Sequence, residues 1–284
     1  MEEPAGWMCP MGREMNWKTG HQGGRSEEAA MICEISRTEK AAPLFAGWEE
    51  TMIASCLQGV MGKIYGNCEE NPVSAIALLG DFCFLAGEPD RELAAKAPEQ
   101  DGRNFLIMVP QNGRWAEVIE DCHGQRARKT VRYAIRKEPD VFRREELQAA
   151  VEGLPEGYVL KRMDETLFRR CKEIPWCRDL VSQYRDYAQY EAHGLGAVIL
   201  RAGEPVSGAS SYSGYLGGIE IEIDTREDYR RRGLAYICGA KLILDCLERG
   251  WYPSWDAQNL WSVALAEKLG YHFSHAYDVY EWSA

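Results

Sequence analysis

Several absences narrow what this 284-residue chain can be. It has no run of about eighteen uninterrupted apolar residues, so a transmembrane helix is not expected. It has no Gly-Lys-Ser/Thr phosphate loop and no G-x-G-x-x-G, which argues against nucleotide hydrolysis and dinucleotide binding. The 10 cysteines form no Cys-x-x-Cys pair and no regular spacing, and read as reduced thiols. Only 5 histidines occur; His272 and His275 follow Gly270 in an expected strand with no third ligand, so no metal is assigned. Positive charge is scarce as well: 33 Lys and Arg face 44 Asp and Glu, a net charge of -11. Such a field repels polyanions, so neither nucleic acid nor an anionic membrane is expected as a partner. The start "MEEPAGWMCP" is acidic with no apolar run behind it, so a cytoplasmic protein without a secretory signal is expected.

Periodicity divides the rest. Residues 1–30 are rich in glycine and polar residues and predict a loose extension. Residues 31–152 read as an α+β unit of unassigned role, with a helical stretch after Leu44, a hairpin at Gly80-Asp81 and strands at "NFLIMVP" and "TVRYAIRK". A helix in "FRREELQAAVEGLPEG" stops at Gly153 and Pro155, and the domain boundary is placed there. Residues 153–284 alternate strands and helices as a mixed α/β, or α+β, domain.

One stretch carries most of the chemical signal, "EIEIDTREDYRRRGLA" from Glu220 to Ala235. Alternation puts Ile219, Ile221 and Ile223 on one face of a strand, expected to be core, and Glu220, Glu222 and Asp224 on the other, expected to be wet. Arg230, Arg231 and Arg232 then precede Gly233 and a helix whose apolar positions begin at Leu234. The first N–H groups of a helix lack internal partners and carry partial positive charge, so this turn suits a phosphate or pyrophosphate. Gly233 lets the backbone approach, Ala235 adds little bulk, and the arginines supply charge. The competing reading is a solvated turn whose arginines pair with Glu227 and Asp228.

Arg230-Arg231-Arg232-Gly233-Leu234-Ala235 resembles the acyl-CoA signature of the GCN5-related N-acetyltransferases, and "WDAQNLWSVALAEKLGYHF" resembles their next strand, Asn-led helix and terminal Gly. The resemblance spans about residues 158–284, and an extra N-terminal half is similar to that of a bacterial GNAT subgroup. It implies a V-shaped sheet in which the opening strand and "WYPSWDA" splay apart, with the pantetheine arm of acetyl-CoA in the gap near Ile223, Thr225 and Asn259. It further implies transfer of an acetyl group to a primary amine by direct attack, on a small-molecule or peptide acceptor. Glu222, with Glu220 in reserve, fits the general base. Ala266 stands where many relatives carry an acidic tyrosine, leaving another tyrosine, Tyr252 or Tyr271, or water to protonate the sulfur. Trp176, Tyr212, Tyr215 and Trp255 are candidates for an acceptor pocket. The alternative to an enzyme is a non-catalytic acyl-CoA-binding module acting through a partner. The oligomeric state is not legible.

Overall fold

The structure, a computed structural model, describes residues 32–284; the expected extension over residues 1–30 lies outside the described residues. Two sheets organise the chain. The first is assembled from β1 (Cys33–Glu34), β2 (Lys63–Gly66), β3 (Ser74–Leu79), β4 (Phe82–Gly87), β5 (Phe105–Pro110) and β6 (Ala127–Ile135). Helices α1 (Thr51–Leu57), α2 (Arg91–Lys96) and α3 (Gly113–His123) connect these strands, and α4 (Arg144–Glu152) follows them. The second sheet is a meander of β7 (Tyr158–Arg162), β8 (Gly196–Arg201), β9 (Glu204–Tyr215) and β10 (Gly218–Thr225), with α5 (Glu165–Glu173) and α6 (Tyr187–His193) between its first two strands. Helix α7 (Leu234–Arg249) leads to β11 (Tyr252–Ser254) and β12 (Asp256–Ala257), then α8 (Leu260–Lys268) and β13 (Phe273–Ser283).

The strand orders are β1-β2-β3-β4-β5-β13-β6-β12 and β11-β10-β9-β8-β7. The last strand of the chain therefore lies antiparallel between β5 and β6, with Tyr280 opposite Met108 on one side and Lys129 on the other. The boundary read at residues 152–153 separates neither sheets nor cores. Val279 and Tyr280 of β13 are buried in the first sheet, and one apolar cluster joins Met52, Ile53 and Phe82 to Tyr184, Val198 and Tyr212. Residues 31–284 form one compact unit.

Local rules place the pieces that matter for the site. Leu79 pairs with Phe82 across the two-residue turn Gly80-Asp81, as that turn chemistry predicts. Gly80 has φ +54°, and a Cβ there would lie 2.1 Å from the Tyr212 hydroxyl, so glycine brings this turn against the second sheet. On β10, Ile219 and Ile221 pack under α7 with Leu234, Ile237 and Ile243, which fixes the opposite face for the carboxylates. The register of β9 slips between Glu220↔Ser213 and Ile221↔Ser211, making Tyr212 the extra residue of a bulge.

Candidate active site

Strands β10 and β11 run parallel only over Gly218–Glu220. Trp255 then turns the chain away, 5% exposed and donating its Nε1–H to Ser262 Oγ at 3.0 Å, and Asp256–Ala257 joins β6 in the other sheet. From Ile221 onward β10 has no strand on that side. The resulting gap opens into a cavity of about 860 Å³.

One end of the cavity carries unpartnered hydrogen-bond donors and arginines. The backbone N–H groups of Arg231 to Tyr236 have no hydrogen-bond partner among the described residues; the first bond of the helix is Ile237 N–H to Gly233 O, 3.2 Å. Gly233 adopts φ +79° as N-cap of α7. A Cβ on it would meet nothing within 4 Å, so glycine is required by the left-handed backbone and not by crowding. Arg231, with φ +60°, shares this twist. The three arginines part company here. Arg230 donates to Thr225 O at 3.1 Å and lies 3.8 Å from Asp224, and Arg232 turns to Asp228 O at 2.8 Å and covers the Tyr229 ring. Arg231 faces the cavity with no partner among the described residues. Of the acids expected to pair with them, Asp228 instead holds Arg226 through two bonds, 2.7 and 2.9 Å.

The other end is acidic. Glu220 is 4% exposed; its Oε2 accepts from the Thr51 hydroxyl, and its Oε1 has no hydrogen-bond partner among the described residues. Burial pushes its carboxyl up to about 7, although Lys137 and the Thr51 hydrogen bond pull it back. Glu222 is half-buried, and burial together with Asp179 and Asp224 pushes it up to about 8 against the pull of Arg132 and the Ile223 N–H. Arg132 reaches the cavity from β6, pairing its Nε–H with Asp256 Oδ1 at 2.5 Å and lying 4.9 Å from the Phe82 ring centre. Tyr277 completes that group by donating to Asp256 Oδ2 at 2.7 Å.

The structure brings Glu220, Glu222, Ile223, Thr225, Arg230 and Arg231 to one cavity, with Ala235 and Asn259. Arg232, Gly233 and Leu234 do not line it; the Leu234 side chain is 1% exposed in the core of α7, and only the backbone of these residues faces the turn. Asn259 caps α8, accepting from Ser262 N–H at 3.0 Å. The carboxylate face of β10, expected to be wet, is covered by α1 and the first sheet. Tyr271 donates to Pro253 O at 2.7 Å and Tyr252 accepts from Glu138 N–H at 3.0 Å; neither faces the cavity, and Ala266 is fully buried. Of the four aromatic candidates, Tyr212 and Trp255 line the cavity, whereas Trp176 and Tyr215 do not. Sequence reasoning missed Asp81, Phe82, Arg132 and Asp179. The Gly80-Asp81 turn and the strand alternation around Arg132 were visible, but nothing along the chain says that they meet β10.

Comparison with known proteins follows this geometry. The GNAT acetyltransferase family model matches residues 42–280. The chain is 29% identical over 247 residues to the uncharacterized N-acetyltransferase YdfB of Bacillus subtilis, covering 81% of this chain and 89% of that protein. A GCN5-related N-acetyltransferase-like protein from Streptococcus suis is 49% identical, with a TM-score of 0.82 over 87% of this chain and 98% of its own. A GCN5-related N-acetyltransferase from Kribbella flavida shares the fold at 18% identity, TM-score 0.51, over 84% and 96% of the two chains. The splayed strands, the uncapped turn before α7 and these matches agree: the chain belongs to the GNAT acetyltransferase family and is an acyltransferase.

Proposed function

We propose that the protein transfers the acetyl group of acetyl-CoA to a primary amine by direct attack on the thioester. The observation that carries this reading is the row of unpartnered N–H groups from Arg231 to Tyr236 beside the unpaired Arg231, at the mouth of the gap between β10 and β11. The pyrophosphate sits on those N–H groups with Arg230 and Arg231. The pantetheine arm runs along the open edge of β10 at Ile223 and Thr225. The Asn259 side-chain oxygen caps α8, which leaves its amide N–H₂ for the arm. Trp261 is 88% exposed at the same mouth, an apolar surface suited to covering a bound cofactor.

Glu222 is the base in this scheme, with Glu220 beside it. A carboxyl near 8 is matched to taking a proton from an ammonium close to neutral pH. Tyr212 is the tyrosine that faces the cavity; its hydroxyl accepts from Asp81 N–H at 2.7 Å, and its own proton meets no acceptor among the described residues. That proton is the one free to meet the departing thiolate, although burial and then Asp81 push the hydroxyl well up and weaken it as an acid; Tyr212→Phe is expected to slow transfer while leaving cofactor affinity unchanged. The primary test is calorimetric titration with acetyl-CoA and with CoA. Binding is expected to weaken about 10- to 100-fold in Arg231→Ala, the loss of a charge-assisted contact, and little in Arg232→Ala. Failure of the wild-type protein to bind either ligand sinks the proposal.

A further inference from the structure

The carboxylates facing the cavity outnumber the cations available to them. Asp224 shares Arg230, and Asp256 is engaged by Arg132 and Tyr277. Asp81, Asp179, Glu220 and Glu222 line the same space; Arg103 acts on Asp81, Lys137 on Glu220 and Arg132 on Glu222, but none of these cations closes an ion pair with them among the described residues. Glu220 adds a separate observation: it is 4% exposed, yet its Oε1 meets no donor. A buried carboxyl oxygen left in that state can take a partner from the cavity, a bound group or a water.

The arrangement also has a length. Glu220 and Glu222 occupy alternate positions on one face of β10, about 7 Å apart along the strand. Asp179 is exposed on the turn Pro175–Leu180 and lines the cavity together with Asp81, Glu222 and Asp224; burial raises these three carboxyls, and the charge of Asp179 adds to it. One ammonium cannot neutralise groups spread this way. The Phe82 and Tyr212 rings line the same cavity, 5.8 Å apart and edge to face; Arg132 already lies over the Phe82 ring, and what the two rings offer a ligand is apolar surface for methylene groups.

Resting on the amine-acceptor reading above, we propose that the acceptor is an aliphatic oligoamine with at least two ammonium groups, one held by Asp81 and Asp179 while another is presented at Glu222. The segment before residue 153 then has a defined part: it supplies Asp81 and Phe82, half of the wall that selects the acceptor. Burial holds these carboxyls high and their mutual repulsion adds to it; a bound cation offsets both, so binding releases protons near neutral pH.

Spermidine and butylamine titrated calorimetrically into the full chain at pH 7, without cofactor, test this directly. Spermidine is expected to bind at least 10-fold more tightly than butylamine and to release protons, read from the dependence of the heat on buffer. Asp179→Asn, an exposed substitution that leaves the core untouched, is expected to weaken spermidine about 10-fold and butylamine hardly at all. Equal affinity for the two amines, unchanged spermidine affinity in both Asp179→Asn and Asp81→Asn, or no spermidine binding overturns the proposal. Acetyl transfer is read apart from this, as free thiol from acetyl-CoA. Spermidine that binds as expected without thiol release would count against the acetyltransferase reading and leave the oligoamine site standing.

Discussion

Replacing Glu222 with glutamine separates the charge of this side chain from its shape. Burial and the neighbouring carboxylates of Asp179 and Asp224 push Glu222 from 4.5 up to about 8. An acid that holds its proton more tightly in the folded chain stabilises the fold below its unfolded value. That stability is lost as pH rises from about 4.5 to about 8. Above that window the ionised side chain costs about 5 kcal/mol relative to a carboxylate in water. Glutamine has nearly the same volume and never ionises. Wild type and Glu222→Gln should therefore unfold alike near pH 5, whereas at pH 9 the variant should be the more stable by several kcal/mol. For a chain of this size that is about 10 °C in Tm. Thermal and urea unfolding followed by circular dichroism at pH 5, 7 and 9 measure it, and a stability difference that does not change with pH refutes the burial argument. In the proposed scheme the same ionisation governs catalysis. Wild-type kcat/KM should rise through about pH 8, and the variant should lose that rise and fall by about 10²- to 10⁴-fold. Equal rates at every pH would remove Glu222 from the role of base.

Other perturbations probe separate parts of the argument. At φ +79°, Gly233→Val should strain the turn by about 1–2 kcal/mol and abolish acetyl-CoA binding in calorimetry, while Gly233→Asn, which tolerates that backbone, should keep most of it. Equal affinities in the two variants would show that the turn geometry is immaterial. Arg132→Met strands Asp256, 7% exposed, without its cation and should cost about 3–5 kcal/mol in urea unfolding at pH 8, with much of the loss recovered in Arg132→Met/Asp256→Asn. A chain ended at Gly270 lacks β13, so β5 and β6 lose their common neighbour and the buried Val279 and Tyr280. It should show no cooperative melt; a sharp transition would mean that the first sheet closes without its last strand.

Much of the second sheet and the Gly233 turn before α7 was legible because the signals are local. Ile219, Ile221 and Ile223 alternate with Glu220, Glu222 and Asp224, and alternation fixes faces whatever the partner. Gly233 before an apolar helix marks a turn whose N–H groups lack partners, and Asn259 marks a helix start that it does cap. The first sheet was read less well. The helical spacing after Leu44 yields only Thr51–Leu57 as α-helix, since Gly47 and Gly59 bound it in left-handed conformations and Lys63–Gly66 pairs as a strand.

The sequence by itself determined which side chains share a strand face, where the helices begin and which turn leaves its N–H groups without partners, because each depends on contacts within a few residues. Only the tertiary structure decided that the carboxylate face of β10 is enclosed, that Arg232 turns away from the cavity, and that Asp81, Phe82 and Arg132 complete the site. Those outcomes depend on β13 returning between β5 and β6 and on β11 parting from β10 at Glu220. Both are pairings between segments far apart in the chain, chosen by the packing of whole sheets rather than by any local run of residues.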